Sequence, residues 1–307
     1  MKMETMKKDK NVKASKLGGN QKPSKEAQEK ATKVILKTAA KQLKKKVKAT
    51  KTVLDNPHKE KILFLDIETS LAIMAGFSLW NPINYKNIIQ DWYIISASWK
   101  WLHDPKTHSI SVLDDKANLK GKGMLEPFND KVVVEKLLEL IEEADAICYH
   151  NGDRFDIKKI NTRILYHRLK PAPKIPTIDT LKVAKANFGI TSNRLDYIST
   201  FLGHNGKLDT SKGLWMEVLK GNLKAIKEMV AYNEVDVIEL EKVYMDFRPF
   251  IQNHPNFRHF TNHDVACPVC KSTHYQKRGY TLKASGKFAR YQCQDCGKWF
   301  PSKEKVQ

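Results

Sequence analysis

KILFLDIE, residues 61–68, is apolar on both alternating faces until Asp66, a pattern typical of a strand buried in the middle of a sheet. Asp66 and Glu68 are two residues apart, so their side chains leave the same face of this strand. Open α/β sheets bind ligands at the carboxyl ends of their strands, where two carboxylates repel unless a cation or a proton intervenes. The two side chains can share a metal ion, although a DxE pair alone is more often a solvated strand end.

Apolar patterning after this strand predicts alternating strands and helices. Further strands are expected at 92–101, 109–113, 146–150 and 177–180, and helices at 132–144, 155–169, directly after the 177–180 strand, 195–202 and 224–247. An aromatic loop or short helix with Phe77, Trp80 and Tyr85 is expected between the first two strands. This order indicates an α/β domain with a mixed sheet flanked by helices.

The motif HNGDRFD, residues 150–156, supplies a further carboxylate. Asn151 ends a predicted strand, and Asp156 lies in the first turn of the next helix, where an acid also suits the positive end of the helix dipole. Asp153 competes with Asp156 for a metal-binding role. Phe155 is expected to pack beneath the site or against the substrate.

The motif YNEVD, residues 232–236, lies inside the last predicted helix. Tyr232 and Asp236 are four positions apart, which places a phenol and a carboxylate one turn apart on one helix face. Alone, this arrangement is more often an ordinary surface pair. The combination of all three elements is more specific than any one of them.

The three elements, in this order, resemble the exonuclease motifs of the DEDD superfamily, proofreading nucleases with a ribonuclease-H-like fold. The matching residues are Asp66 and Glu68 in DIET, Asp156 in NGDRFD, and Asp236 with Tyr232 in YNEVD. The tyrosine form is indicated, because the histidine form has His where this chain has Ala231. The segment from DIETS to DWYIISASWKWL is also similar to stand-alone, often phage-encoded, exonucleases related to the proofreading domain of family B polymerases.

The resemblance implies two Mg²⁺ or Mn²⁺ ions, which prefer oxygen ligands, held about 3.5 to 4 Å apart. Asp66 would bridge both ions, and the set would be completed by Glu68, Asp156 and Asp236. Tyr232 would orient the water that attacks the terminal phosphodiester. Asn151 and Phe155 are expected to contact the substrate.

Four cysteines form two CxxC knuckles separated by 22 residues: Cys267, Cys270, Cys293 and Cys296. Each knuckle can present two thiolates to one tetrahedral Zn²⁺, so one structural zinc is expected, with disulfides or a redox pair as the alternative. The sequence ending YQCQDCGKWF resembles zinc ribbons of DNA-binding proteins. Its basic residues would meet phosphates and its aromatic residues would stack on bases, or the aromatic residues fill a small core.

The positive charge of the chain is concentrated on its two flanks. Residues 1–60 have 18 basic against 6 acidic side chains, residues 61–263 have 27 against 25, and residues 264–307 have 9 against 3. We expect a Lys-rich, disordered or partly helical tail at 1–58, the nuclease domain at 59–248, a linker at 249–263 and the zinc ribbon at 264–307. Flanking positive charge favours a nucleic-acid partner, although a solubilising tail has the same composition.

No apolar run approaches the length of a membrane span, and no hydrophobic region follows the N-terminal lysines, so neither a membrane nor a secretory signal is expected. The expected location is intracellular, in the host cytoplasm if the protein is phage-encoded. The leading hypothesis is a 3′ to 5′ DNA exonuclease in replication, proofreading or repair, with a DNA polymerase as a candidate partner. The alternatives are a 3′ to 5′ exoribonuclease and a noncatalytic nucleic-acid-binding protein that uses the ribbon.

Overall fold

Ten strands occur in the described residues of the computed structural model, which are 60–76, 78, 84–120, 126–204 and 210–306. The strands are β1 Ile62–Thr69, β2 Ile73–Met74, β3 Ile88–Gln90, β4 Ile94–Trp101, β5 His108–Ser111, β6 Ala146–Tyr149, β7 Thr177–Asp179, β8 Tyr275–Lys283, β9 Gly286–Cys293 and β10 Trp299–Lys305. The predicted tail at 1–58, with Phe77 and Trp80 of the aromatic loop, lies outside the described residues.

Six α-helices accompany these strands within the same ranges. They are α1 Lys131–Glu143, α2 Asp156–Tyr166, α3 Thr180–Asn187, α4 Leu195–Phe201, α5 Leu214–Leu219 and α6 Leu223–Phe247. Among the described residues, no helix combines the length and the apolar character that crossing a membrane requires.

A five-stranded mixed sheet, in the order β5–β4–β1–β6–β7, lies at the centre of the α/β domain. β1 pairs antiparallel with β4 and parallel with β6. Farther out, β5 pairs antiparallel with β4, and β7 pairs parallel with β6. The predicted α/β class with a mixed sheet flanked by helices is therefore confirmed. The arrangement puts the carboxyl ends of β1, β6 and β7 at one edge of the sheet.

β1 is apolar on both faces because a hydrophobic core lies on each side of the sheet. Leu63 and Leu65 belong to one core, whereas Ile62 and Phe64 belong to the other, and none of the four is exposed. The alternation follows from the two-residue period of a strand. A strand enclosed in this way positions the residues at its carboxyl end rigidly.

Two local differences from the sequence prediction have identifiable causes. The strand expected to reach residue 113 ends at Ser111, because Ser111 and Asp114 form a capping box that starts a 3₁₀ turn. The six-residue helix α5 was not predicted; it begins after Gly213, whose φ of 80° suits glycine.

The cysteine-rich segment forms a separate three-stranded sheet in the order β10–β9–β8. It belongs to the same compact unit, His58–Gln307, as the α/β domain. Phe257 N donates to Pro268 O at 2.8 Å, and Lys298 Nζ donates to Ile251 O at 2.6 Å. Lys271 forms an ion pair with Glu60, which directly precedes β1. These contacts attach the small sheet to the larger domain.

His254, in the same region, is held in its neutral form by burial. Its Nδ1 donates to Pro255 O, and its Nε2 accepts from the Tyr244 hydroxyl, both at 2.8 Å. Burial lowers the pKa of His254 from 6.5 to about 4. Between these values the unfolded chain binds a proton that the folded chain does not bind.

We therefore expect the free energy of unfolding to fall as the pH is lowered from about 6.5 to about 4, with His254 contributing up to about 3 kcal/mol of that loss. Denaturant titrations over this pH range should show a shallower dependence in His254→Gln than in the unsubstituted protein. The exposed His259→Gln is the control and should keep the original slope. Equal slopes for all three proteins would contradict the assignment to His254.

Candidate active site

Three carboxylates from distant parts of the sequence meet at the carboxyl end of β1. One ligand oxygen from each of Asp66, Glu68 and Asp236 lies within 4.8 Å of the other two. Asp66 and Glu68 come from β1, and Asp236 comes from α6, which packs against β1 and β4. All three are half-buried.

Asp156 lies at the start of α2 and contacts β1. Its Oδ1 accepts a hydrogen bond from Ile67 N at 3.2 Å, so it is attached to the backbone between Asp66 and Glu68. The side chain is 2% exposed. The fourth predicted carboxylate is therefore next to the other three.

The carboxyl groups of Asp66 and Asp156 in this cluster have raised pKa values. The pKa of Asp66 is raised well above its ordinary value by burial and by the charges of Asp156, Glu68 and Asp236. Burial raises the pKa of Asp156 to about 7, and the Asp179 charge adds to this shift. Buried carboxylates that repel each other need a proton or a cation, and oxygen donors of this kind suit a hard divalent cation.

Asn233 positions Asp66, a role that the sequence interpretation missed. It is fully buried, and its Nδ2 donates to Asp66 Oδ2 at 2.5 Å. Its Oδ1 in turn accepts from Ser96 Oγ at 3.4 Å. Asn233 lies within YNEVD, on the buried side of the helix. Buried amides usually have specific hydrogen-bond partners, so its position could have indicated this role.

Tyr232 and Phe155 differ in their exposure. Tyr232 lies one turn before Asp236 on α6, is 5% exposed, and packs edge-on against Trp215 with ring centres 6.3 Å apart. Phe155 immediately precedes Asp156 and is 40% exposed. The ring of Phe155 is therefore accessible, whereas that of Tyr232 belongs to the core.

Asp153 has partners of its own. It forms an ion pair with Lys182 and accepts hydrogen bonds from the Tyr149 hydroxyl and from Thr177 Oγ1. These contacts keep its pKa below the ordinary value, even though partial burial acts in the opposite direction. Within HNGDRFD, Asp156 is thus the acid that contacts β1.

The turn after β6 depends on Asn151 and Gly152. Asn151 has a φ of 67°, and its N–H donates to Asp179 Oδ1 at 2.9 Å. A Cβ on Gly152 would lie 2.2 Å from the Tyr149 ring, which is fully buried. Asp179 and Gly152 are further residues of this region that sequence reasoning missed.

We expect Gly152→Ala to lower the free energy of unfolding by about 1 to 3 kcal/mol, the usual cost of overpacking. Denaturant titration measures the change. Gly189→Ala is the matched control, since a Cβ there meets nothing within 4 Å; equal stability of the two variants would contradict the prediction.

A cavity of about 420 Å³ adjoins the acidic cluster. It is lined by His150, Asn151, Leu181, Lys185, Asn193, Arg194, Leu195, Asp196 and Asp236. Lys185 brings positive charge to a cavity that reaches Asp236, whereas Arg194 is paired with Asp196, which also lines the cavity. Asn151 therefore lies in the cavity beside the carboxylates.

The four predicted zinc ligands converge in the second sheet. All four Sγ atoms lie within 4.8 Å of one another, and the Cys267–Cys296 and Cys270–Cys293 pairs are each 3.5 Å apart. A tetrahedral site with a Zn–S distance of about 2.3 Å has sulfurs about 3.8 Å apart. All five cysteines are free thiols, and the fifth, Cys148, is buried in the core of the α/β domain. The cluster therefore fits one zinc ion.

Residues 106–247 match the family model RNase_H_2, of the RNase_H superfamily. This part of the chain is therefore similar to ribonuclease H-like domains. The match includes Asp156, Tyr232 and Asp236 but begins after β1. A ribonuclease H-like fold with clustered carboxylates supports nuclease activity in general, and such a fold implies nucleic-acid binding.

Among solved structures, one that resembles this chain is a family B DNA polymerase from the hyperthermophilic archaeon Pyrobaculum calidifontis. The sequence identity is 13% and the TM-score 0.42, over 62% of this chain and 26% of the polymerase chain. The chain thus spans about a quarter of the polymerase's length. No curated protein matches it.

Proposed function

We propose that the chain is a 3′ to 5′ exonuclease that hydrolyses the terminal phosphodiester of DNA, in replication, proofreading or repair. Two Mg²⁺ or Mn²⁺ ions would be held by Asp66, Glu68, Asp156 and Asp236. The observation that carries the proposal is the convergence of Asp66, Glu68 and Asp236 within 4.8 Å, with Asp156 bonded to the backbone between the first two.

The donor set fits hard divalent cations, since it consists of carboxylates whose repulsion a cation would relieve. When bound, the ions would lower the pKa of the attacking water and stabilise charge on the leaving 3′ oxygen. Asn233 holds Asp66 in place. Tyr232 is assigned to orienting the attacking water, and Asn151 and Phe155 to contacts with the terminal nucleotide.

In the proposed reaction a water oxygen bonds to the terminal phosphorus, and the bond from phosphorus to the 3′ oxygen of the preceding nucleotide breaks. The products are a nucleoside 5′-monophosphate and a strand with a new 3′ hydroxyl. Lys185 lines the cavity that reaches Asp236. Its positive charge would attract the phosphates of the substrate.

The test uses a 5′-labelled DNA oligonucleotide and a matched RNA oligonucleotide, each with Mg²⁺, Mn²⁺ or EDTA. The proposal expects a ladder of products shortened one nucleotide at a time from the 3′ end, with either metal and not with EDTA. Preferential degradation of RNA would favour the ribonuclease instead. Tight binding without cleavage under all conditions would indicate a noncatalytic nucleic-acid-binding protein.

We propose that the zinc ribbon strengthens the binding of nucleic acid. Lys277 and Lys287 on β8 and β9 lie 5.1 and 4.1 Å from the ring centre of Tyr280, which is 43% exposed. Exposed aromatic residues flanked by cations are typical of surfaces that bind single strands. The cysteines, in contrast, would hold one structural Zn²⁺.

We expect Lys277→Ala with Lys287→Ala to weaken binding of single-stranded DNA and to reduce its salt dependence. Losing two phosphate contacts should lower the slope of log K against log salt by about 1.4. Fluorescence anisotropy at several salt concentrations measures this slope. Replacing the exposed Lys170 with alanine should leave it unchanged, and an unchanged slope in the double variant would argue against ribbon contacts.

A further inference from the structure

Aromatic rings and cations alternate in a row beside the acidic site. The row consists of Phe155, Lys159, Trp92, Arg163 and Tyr166. Lys159 Nζ lies 5.5 Å from the ring centre of Phe155 and 3.4 Å from that of Trp92. The guanidinium carbon of Arg163 lies 6.0 Å from the ring centre of Trp92 and 4.0 Å from that of Tyr166.

The row follows one face of α2 away from Asp156. Phe155, Lys159, Arg163 and Tyr166 are spaced by four, four and three residues, a spacing that keeps side chains on one helix face. At 1.5 Å per residue, the row extends about 16 Å along the helix. Tyr166, at its far end, is 67% exposed. Exposed rings interleaved with cations are typical of a surface on which bases stack.

A cavity of about 520 Å³ opens at the far half of this row. Trp92, Arg163 and Tyr166 line it together with Gln90 and Asn129. The volume lies within the range of about 300 to 1,000 Å³ that is usual for small-molecule pockets. The cavity is therefore large enough for a nucleobase.

Gln90 lines this cavity and has a buried acceptor without a partner. The residue is 8% exposed, and its buried Oε1 accepts no hydrogen bond from any residue that the structure describes. Buried polar atoms are nearly always paired, so Oε1 would gain a partner if the Gln90 side chain turned toward a ligand with an N–H donor in the cavity. The amino and imino groups of nucleobases are such donors.

The charged groups around the cavity favour a base over a phosphate. Asp130 accepts two hydrogen bonds from Arg163 at 2.7 Å and one from His167 at 2.6 Å. The Arg163 guanidinium is therefore already paired, and Asp91 adds an exposed carboxylate to the cavity lining. The groups of the cavity lining that can still contact a ligand are therefore aromatic rings and amide groups.

We propose that this row and cavity bind a nucleobase of the single strand, on the 5′ side of the terminal nucleotide. The proposal rests on the exonuclease function proposed above, which places the 3′ terminal nucleotide at the carboxylates. Phe155 would contact the nucleotide nearest the metal site, and the cavity would hold a base farther upstream. The site would favour substrates of several nucleotides over the shortest ones.

The test compares two probes on the full chain with Mn²⁺: the hexanucleotide (dT)₆ and the p-nitrophenyl ester of thymidine 5′-monophosphate. The ester has no upstream base, so it reports on the carboxylate site alone. The ratio of the two kcat/KM values is independent of the fraction of folded enzyme. We expect Tyr166→Ala and Trp92→Ala each to lower this ratio about tenfold, the usual value of one stacked base. Trp92→Phe should restore most of it.

Leu165→Ala, on the same helix but at a residue that is 78% exposed and outside the row, is the control and should keep the ratio. An unchanged ratio in both Tyr166→Ala and Trp92→Ala would overturn the base site while leaving the exonuclease proposal intact. If the unsubstituted chain hydrolyses neither probe, the exonuclease proposal fails. Binding of labelled (dT)₆ in Ca²⁺ then decides the base site: about tenfold weaker binding by Tyr166→Ala supports it, and equal binding overturns it.

Discussion

Asp66→Asn should lower the rate of oligonucleotide hydrolysis by about 10³-fold, because bound metal ions supply several kcal/mol of transition-state stabilisation. Asp66 is the carboxylate whose oxygen lies among those of Glu68 and Asp236 and whose pKa is raised by burial and by the charges of Asp156, Glu68 and Asp236. Without a metal, the same substitution should raise the melting temperature, since it removes a buried charge from a cluster of like charges. Activity and metal-free stability should thus change in opposite directions.

The measurements are hydrolysis of a 5′-labelled oligonucleotide with Mn²⁺ and thermal unfolding in EDTA. Asp153→Asn is the matched control, because Asp153 belongs to HNGDRFD but is paired with Lys182 and Tyr149. It should retain activity. Full activity of Asp66→Asn, or a loss as large in Asp153→Asn, would reject the assignment of the acidic site.

Cys293→Ser should abolish zinc binding by the proposed four-thiolate site and unfold the small sheet. Zinc binding to a structural site of this kind contributes about 10 to 16 kcal/mol. Without the metal, the remaining buried core of the sheet is small and contains few side chains besides the cysteines: Val269 and Phe300, with Val265, Tyr275 and Tyr291 half-buried against them. Elemental analysis should find about one zinc per unsubstituted chain and none in the variant. Near-ultraviolet circular dichroism and limited proteolysis would follow the loss of the sheet.

Cys148→Ala is the control for this experiment. Cys148 is fully buried among the apolar side chains of the second core of the α/β domain, far in sequence from the four clustered thiols. Its replacement leaves a small cavity and should cost stability, but the zinc content should not change. A full complement of zinc in Cys293→Ser would contradict the four-thiolate site.

The elements that the sequence predicted well are those whose burial pattern is decided locally. KILFLDIE is apolar on both faces because a core lies on each side of β1, and that pattern is visible in the sequence itself. The long helix α6 was likewise predicted from its apolar spacing, and its start is fixed by the Asn222 side chain, which accepts from Lys224 N and Ala225 N. The CxxC spacing predicted the thiol cluster, because each CxxC turn places two thiols close together.

The parts that were missed depend on contacts between distant residues. Asn233 could be recognised as a polar residue in an apolar helix, but its bond to Asp66 requires α6 to pack on β1. Gly152 is required only because the Tyr149 ring lies beneath it. The choice of Asp156 over Asp153 follows from which of them reaches the Ile67 backbone, and spacing along the chain does not decide that.

The attachment of the small sheet has a mechanical implication. Phe257 and Lys298 fasten it to the larger domain by hydrogen bonds, and Lys271 pairs with Glu60, at the entrance to the strand that carries Asp66. A cysteine-rich sheet attached in this manner lies at a fixed distance from the acidic site. A nucleic acid held at both places would therefore leave a footprint of one constant width, whatever its sequence.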